Sequence, residues 1–291
     1  MTAFPGRRMA DIYVFGTMAA DVVIRVHSMP TAGSHLRGEY LGWRPGGSSA
    51  NIACALSSAG HTVQLVGPVG TDKVGKALLE AVHARGVRTE HTIPVPAAPR
   101  TLIFLDHAGE RTILALRGPG KPNSYDVQDL PGLAEAEAVW VESFTTFPRE
   151  IAEVASHAIV AVPPPDDPAL SGPADLLVGA KSQFPTTWLQ APLQAARAAM
   201  GERLRHVVVT DGSRGAIAYG DAVPLSVPAQ AAQQVDATGA GDAFAAGLLH
   251  CLLEGWKLPA AMELGTAWAA AAVEELQSIP PGIEALLGGG A

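Results

Sequence analysis

Charge is scarce in this sequence, and positive charge scarcest: 16% of the 291 residues are charged, with 20 Lys and Arg against 28 Asp and Glu and a formal net charge of −8. Binding to nucleic acid or to an anionic membrane needs a clustered basic surface, so neither partner is expected. Phosphate ligands remain open to the chain, because backbone amides hold them without side-chain charge. Cysteine is nearly absent too. Cys54 and Cys251 lie far apart in regions that read as helices, so a disulfide framework is not expected, both thiols are assigned to the core, and a reducing cytoplasm is the expected compartment. Residues 1–8 hold no apolar run long enough for a signal peptide or a membrane span, and they read as a loose extension without function. The nine histidines show no ligand spacing, so no transition-metal site is predicted. What the chain does have is 48% hydrophobic residues, ample material for one large core, and one domain over 1–291 is expected.

Short apolar segments at 11–16, 62–67, 138–141, 158–162, 176–178 and 206–210 alternate with Ala- and Leu-rich runs of helical character, among them 76–85, 243–253 and 260–275. That alternation predicts an α/β fold with a mostly parallel central sheet and helices on both faces. Two regions stand outside it. Residues 29–45 carry short alternating runs, and 100–117 holds a hairpin pattern around 106–109. Together they predict a small accessory sheet.

The chemistry concentrates in three glycine-bearing loops. In 235–247 a small-residue loop runs into an apolar helix; Gly239 and Gly241 permit close backbone approach, and the helix start favours an anion. An ordinary helix start capped by Asp236 or Thr238 has the same appearance. Yet Asp242 would repel a bound phosphate, and its place there suits a carboxylate that takes the proton from an attacking hydroxyl. In 46–53, Gly46 and Gly47 precede a helix that carries Asn51, whose donor and acceptor atoms suit vicinal hydroxyls; a Gly turn capped by Ser48 or Ser49 is the plain alternative. In 207–219 two strands flank a turn with Thr210, Gly212 and Gly215, which reads equally as a hairpin with a solvated Arg214. Asp21, between two apolar runs, reads by itself as a turn cap. Glu142 follows the strand 138–141, where open α/β sheets gather ligands, although strand-end Glu residues are common.

These stretches resemble the ribokinase-like (PfkB) family of sugar and nucleoside kinases. Residues 236–242 resemble its DTxGAGD signature, 46–51 its GGxxxN signature, the TxGxxG spacing at 210–215 its nucleotide-binding turn, and Gly16, Asp21, Pro30 and Gly33 its opening. The resemblance implies ATP-dependent phosphotransfer to a primary hydroxyl of a sugar or nucleoside. It implies Asp242 as the catalytic base and the Gly239, Ala240 and Gly241 amides as the anion hole. Asp21, Gly46, Gly47, Asn51 and Glu142 are the candidate substrate residues, and Thr210, Gly212, Gly215, Asp236 and Thr238 the candidate ATP residues, with Mg²⁺ bridging the phosphates. In the family the accessory sheet is a lid over the sugar site whose edges often pair between subunits, which makes a homodimer an expectation. The helix 260–275 would lie against adenine, with Thr266 and Ala270 facing the purine and Trp268 in the core.

Three departures matter, one being that Val162-Pro163-Pro164-Pro165 lacks the Asn or Asp the family usually carries after that strand. Ala180-Lys181-Ser182-Gln183 stands where the family carries an NxxE motif linked to magnesium and phosphate, so Gln183 is expected to accept a hydrogen bond from a metal-bound water in place of a carboxylate. Residues 274–278 replace a Gly-containing loop whose carbonyls help bind a monovalent cation, which leaves potassium in question although Asp236 is retained. The changed 180–183 segment motivates the alternative of a non-catalytic sugar- or nucleoside-binding protein.

Overall fold

Val, Ile and aromatic residues crowd into the short apolar runs, where a β-branched side chain packs well on a pleated surface. There the computed structural model, which describes residues 9–107, 111–116, 127–142, 148–168 and 171–287, has its strands. In chain order they are β1 (Asp11–Phe15), β2 (Ala19–Val26), β3 (Gly38–Gly46), β4 (Thr62–Val66), β5 (Pro68–Gly70), β6 (Ile93–Val95), β7 (Arg100–Leu105), β8 (Arg111–Leu116), β9 (Ala138–Val141), β10 (Ile159–Val162), β11 (Leu176–Ala180), β12 (His206–Thr210), β13 (Ala216–Tyr219) and β14 (Leu225–Val227). The longer helices are α1 (Ser48–Ser58), α2 (Lys73–His83), α3 (Pro148–Val154), α4 (Pro192–Met200), α5 (Ala240–Leu253) and α6 (Leu258–Val273).

An eight-stranded sheet runs in the order β14-β13-β12-β11-β10-β9-β1-β4, parallel from β12 to β4 and antiparallel over β12-β13-β14. Parallel strands covered on both sides need apolar residues on both sides, and β9 is buried at every position. One face carries the core of α1, α2, α5 and α6 around Trp268 and Phe244; the other packs α3 and α4 around Phe15, Leu133 and Ile151. Cys54 and Cys251 are buried as expected, and burial pushes both thiols up to about 12, which makes them inert. No helix among the described residues is long and apolar enough to cross a membrane.

A second sheet, ordered β3-β2-β7-β8, lies where the lid was expected, but it also takes β2. The sequence alone reads that segment as one more apolar run. Its partner decides the matter, because Ala20–Arg25 pair in parallel with Arg100–Leu105 along six consecutive residues. Asp21 therefore sits inside a strand and not in a turn. Residues 31–37 add no strand to the lid, and the tip of the β7–β8 hairpin and residue 117 lie outside the described residues. Helix starts also come early. Asp72 caps α2 by accepting the Gly75 N–H at 2.8 Å, so the helix begins at Lys73, three residues before the expected start at 76. In the same way the glycine signature itself forms the first turn of α5.

Candidate active site

Two helix starts build the site. α1 and α5 begin after Gly47 (φ 94°) and Gly239 (φ 81°), backbone conformations that L side chains rarely adopt. A Cβ at Gly239 would also lie 2.1 Å from the Ser278 carbonyl oxygen, so the loop reaches its position only with glycine there. α1 packs on α5, and their first turns meet at Asp242. Ser48 Oγ donates to Asp242 Oδ1 at 2.7 Å, and Asn51 Nδ2 donates to Oδ2 at 2.7 Å. Burial pushes the Asp242 carboxyl up to about 7; the Asn51 and Ser48 hydrogen bonds oppose the shift, and the charges of Glu142 and Asp21 add to it. A carboxyl at that pKa is poised to exchange a proton near neutrality.

Beside Asp242 lie the amides. Ala240 N–H reaches the Ala237 carbonyl at 3.4 Å, whereas the N–H groups of Gly239, Gly241 and Asp242 have no acceptor among the described residues. Three unpartnered donors at the positive end of a helix make an anion cradle. They open on a cleft of about 920 Å³, which is also lined by Asp21, Gly47 and Asn51, and by Thr210, Gly212 and Gly215. Thr238, Thr266 and Ala270 line it as well. Most of the residues singled out from sequence thus share one wall-to-wall space of the size that small ligands occupy.

Three do not face that cleft. Gly46 packs against Asp21, whose Oδ2 a Cβ would meet at 2.0 Å; it shapes the loop and does not line the wall. Asp236 is fully buried beneath the loop, where Oδ1 accepts the Thr238 N–H at 2.9 Å and the Thr238 hydroxyl at 2.7 Å, so it holds the turn and does not line the cleft. Glu142 is not an exposed strand end: it is only 6% exposed and lines an adjoining cavity of about 500 Å³ that shares Ser48 with the cleft. Gln183 also departs from expectation. Its Oε1 accepts the Ala180 N–H at 2.7 Å, which holds the amide as a local cap with one lone pair committed, while the residue still lines both cavities. Arg214 and Lys181 both reach Asp211, at 2.6 Å and 3.2 Å, and Trp268 is core, with Nε1–H donated to the Pro281 carbonyl.

Sequence reasoning missed Arg44, Ser278 and the role of Ser48. Arg44 lies opposite Asp21 across β2 and β3, donates to Asp236 Oδ2 at 2.5 Å, and donates Nε–H to Ser278 Oγ at 2.8 Å. Ser278 in turn donates to Asp21 Oδ2 at 2.5 Å. Strand pairing sets Arg44 beside Asp21, and distant loops and the start of α1 bring the other partners to them, so no local signal marks them.

Among the described residues no group of three His, Cys, Asp or Glu forms a metal cage. Magnesium does not ask for one, since it keeps waters and binds through phosphates with one or two carboxylates. Glu142 and Asp166 on the wall of the adjoining cavity are hard-oxygen donors of that kind, so the site fits the ion.

Known proteins resemble this chain over most of its length. The model of the pfkB family of carbohydrate kinases matches residues 9–162 and 165–285. The chain is 26% identical over 275 residues to a ribokinase of Bacillus subtilis, covering 91% of this chain and 93% of that one, and 26% identical over 297 residues to a deoxyribokinase of Salmonella typhi, covering 94% and 96%. Among solved structures, that of Arabidopsis thaliana ribokinase complexed with ribose and ATP superposes with a TM-score of 0.80 at 19% identity, over 96% of this chain and 98% of that one, a likeness of fold.

Proposed function

The chain belongs to the pfkB family of carbohydrate kinases, and from that premise we propose that it transfers the γ-phosphoryl group of ATP to a primary hydroxyl of a sugar or nucleoside. One observation carries the reading: a carboxyl with its pKa raised to about 7, Asp242, lines the same cleft as the open amides of Gly239 and Gly241. Asp242 takes the proton of the acceptor hydroxyl. The freed oxygen forms its bond to the γ-phosphorus, the bond from that phosphorus to the β,γ-bridging oxygen breaks, and ADP leaves with the electron pair. The Gly239 and Gly241 N–H groups stabilise the charge that develops on the transferred group. Asp21 accepts from acceptor hydroxyls, and so does Asn51 Oδ1, a buried atom with no hydrogen-bond partner among the described residues. Thr210, Gly212 and Gly215 line the nucleotide end, with Thr266 and Ala270 against the purine. Glu142 and Asp166, on the adjoining cavity, would hold Mg²⁺ together with the phosphates, and the ion would supply charge neutralisation.

The lid supports a further reading, a homodimer. Register puts Trp43, Val22, Leu102 and Leu114 in one row across the four strands. Trp43 is 40% and Leu114 51% exposed, an apolar row on the sheet face away from the cleft that a second copy would cover. Sedimentation of the wild type and of a Trp43→Lys, Leu114→Lys variant tests this; a wild-type monomer at micromolar concentration rules it out.

A coupled ADP-release assay over pentoses, hexoses, nucleosides and acidic sugars tests the kinase reading. Acceptor-dependent ADP formation upholds it. Ligand-stabilised melting without turnover would replace it with the sugar- or nucleoside-binding protein.

A further inference from the structure

The buried carboxylate of Asp236 raises a question of charge balance. It is 0% exposed, directly under the phosphate loop, and an uncompensated charge there is costly. Burial pushes its pKa up, but the hydrogen bonds from Thr238 and from Arg44 outweigh burial and hold it below the usual carboxylate range, so it is ionised. The compensating charge is the Arg44 guanidinium, itself only 14% exposed. Arg44 arrives from the lid sheet, crosses to Asp236, and on the way donates to Ser278, which donates to Asp21.

This arrangement does not fit a bound monovalent cation, which needs a shell of free oxygen atoms. Oδ1 of Asp236 already accepts twice from Thr238, Oδ2 accepts from Arg44, and Ser278 Oγ is committed between Arg44 and Asp21. The Ser278 carbonyl oxygen takes the space that a Cβ at Gly239 would fill. We propose that Arg44 is a positioning residue: its guanidinium serves as the resident cation beneath the phosphate loop, so the protein needs no potassium, and it ties the lid strand to the loop that carries the anion-binding amides. The inference rests on the kinase reading for its catalytic consequence and on geometry alone for its structural one. The chain of causes is short. Arg44 fixes Asp236, Asp236 fixes the Thr238 turn, and that turn sets the direction of the Gly239 and Gly241 N–H groups.

The test compares wild type, Arg44→Ala and Arg44→Lys in tetramethylammonium buffer, then with KCl or guanidinium chloride added at matched ionic strength, reading kcat, acceptor KM and melting temperature. Wild-type turnover and melting should not respond to potassium. Arg44→Ala should lose about 10²-fold in kcat, the usual cost of a small misplacement of catalytic groups, with a smaller change in acceptor KM, and guanidinium should restore part of the loss. It should also melt lower by about 5 °C or more, because an unpaired carboxylate is left buried. A merely structural arginine would lower melting while leaving kcat per folded molecule intact and guanidinium without effect, and that outcome overturns the proposal. So does potassium activation or potassium stabilisation of the wild type. Should Arg44→Ala fail to fold, Arg44→Lys and Ser278→Ala carry the same comparison. Should the wild type phosphorylate no acceptor, the kinase reading falls separately; melting then decides Arg44, with cation stabilisation of the alanine variant alone upholding it.

Discussion

Replacing Asp242 by Asn should lower turnover by orders of magnitude and, at alkaline pH, stabilise the protein. The two effects have one cause. Asp242 has its carboxyl pushed up to about 7 because burial and the charges of Glu142 and Asp21 disfavour the ionised form. In the unfolded chain its pKa is the ordinary 3.8, so between those values the folded state holds more protons than the unfolded state. The stabilisation is complete below 3.8 and is lost as pH rises through 7. At pH 8 the ionised carboxylate then costs up to about 4 kcal/mol, from a shift of about three units at 1.36 kcal/mol each. Asn carries no charge and keeps both contacts, accepting from Asn51 with Oδ1 and donating from Nδ2 to Ser48 Oγ. We therefore expect the variant to melt higher than the wild type by about 4 °C or more at pH 8, and by much less at pH 5. Loss of the general base should lower kcat by about 10²–10⁴-fold, equivalent to about 2.7–5.5 kcal/mol of barrier. Wild-type kcat/KM should fall on the acid side with an apparent pKa of about 7. Coupled ADP release from pH 5.5 to 9 and calorimetry at pH 5 and 8 measure both effects. Turnover within tenfold of wild type at pH 8, a melting temperature that drops there, or a flat acid limb would refute the reasoning.

Asn51→Ala should raise acceptor KM while ATP binding stays nearly intact, because Asn51 offers its buried Oδ1 to the acceptor; a loss of ATP affinity alone would mean the two ends of the cleft are reversed. Gly239→Ala should destabilise the fold strongly, given φ 81° and the 2.1 Å approach to Ser278, whereas Gly241→Ala, whose Cβ meets open space, should fold normally and lose nucleotide affinity. Equal melting temperatures for the two variants would contradict this. His61 is buried against His250 at 2.8 Å, and burial lowers its pKa to about 4. It therefore stays neutral in the folded state, and stability present above pH 6.5 should be lost as pH falls toward 4, by about 3 kcal/mol from a shift of about 2.5 units. That trend opposes the one from Asp242, so it is isolated by comparing wild type with His61→Gln, whose stability should respond less to acid; identical pH slopes would disprove it.

The sequence by itself determined the parts of this protein that are contiguous in the chain. The loop 236–242, the loop 46–51 and the turn 210–215 are each a few residues whose glycines and caps act on their own neighbours, so their spacing is legible without a fold. The parallel sheet was legible for a similar reason, since strands buried on both faces are written as unbroken apolar runs such as 138–141 and 207–209. What only the tertiary structure decided lies between segments. The 2.7 Å bond of Ser48 to Asp242 joins residues 194 apart, and Ser278 meets Asp21 across 257. Strand register sets Arg44 beside Asp21, the closing of the α5 loop brings Asp236 to it, and Glu142 is buried at the end of its strand close against Gly16. Hydrogen bonds and ion pairs act over a few ångströms of space and are indifferent to distance along the chain, so the charge state of Asp242 and the counter-charge of Asp236 come into being only once the sheets have closed.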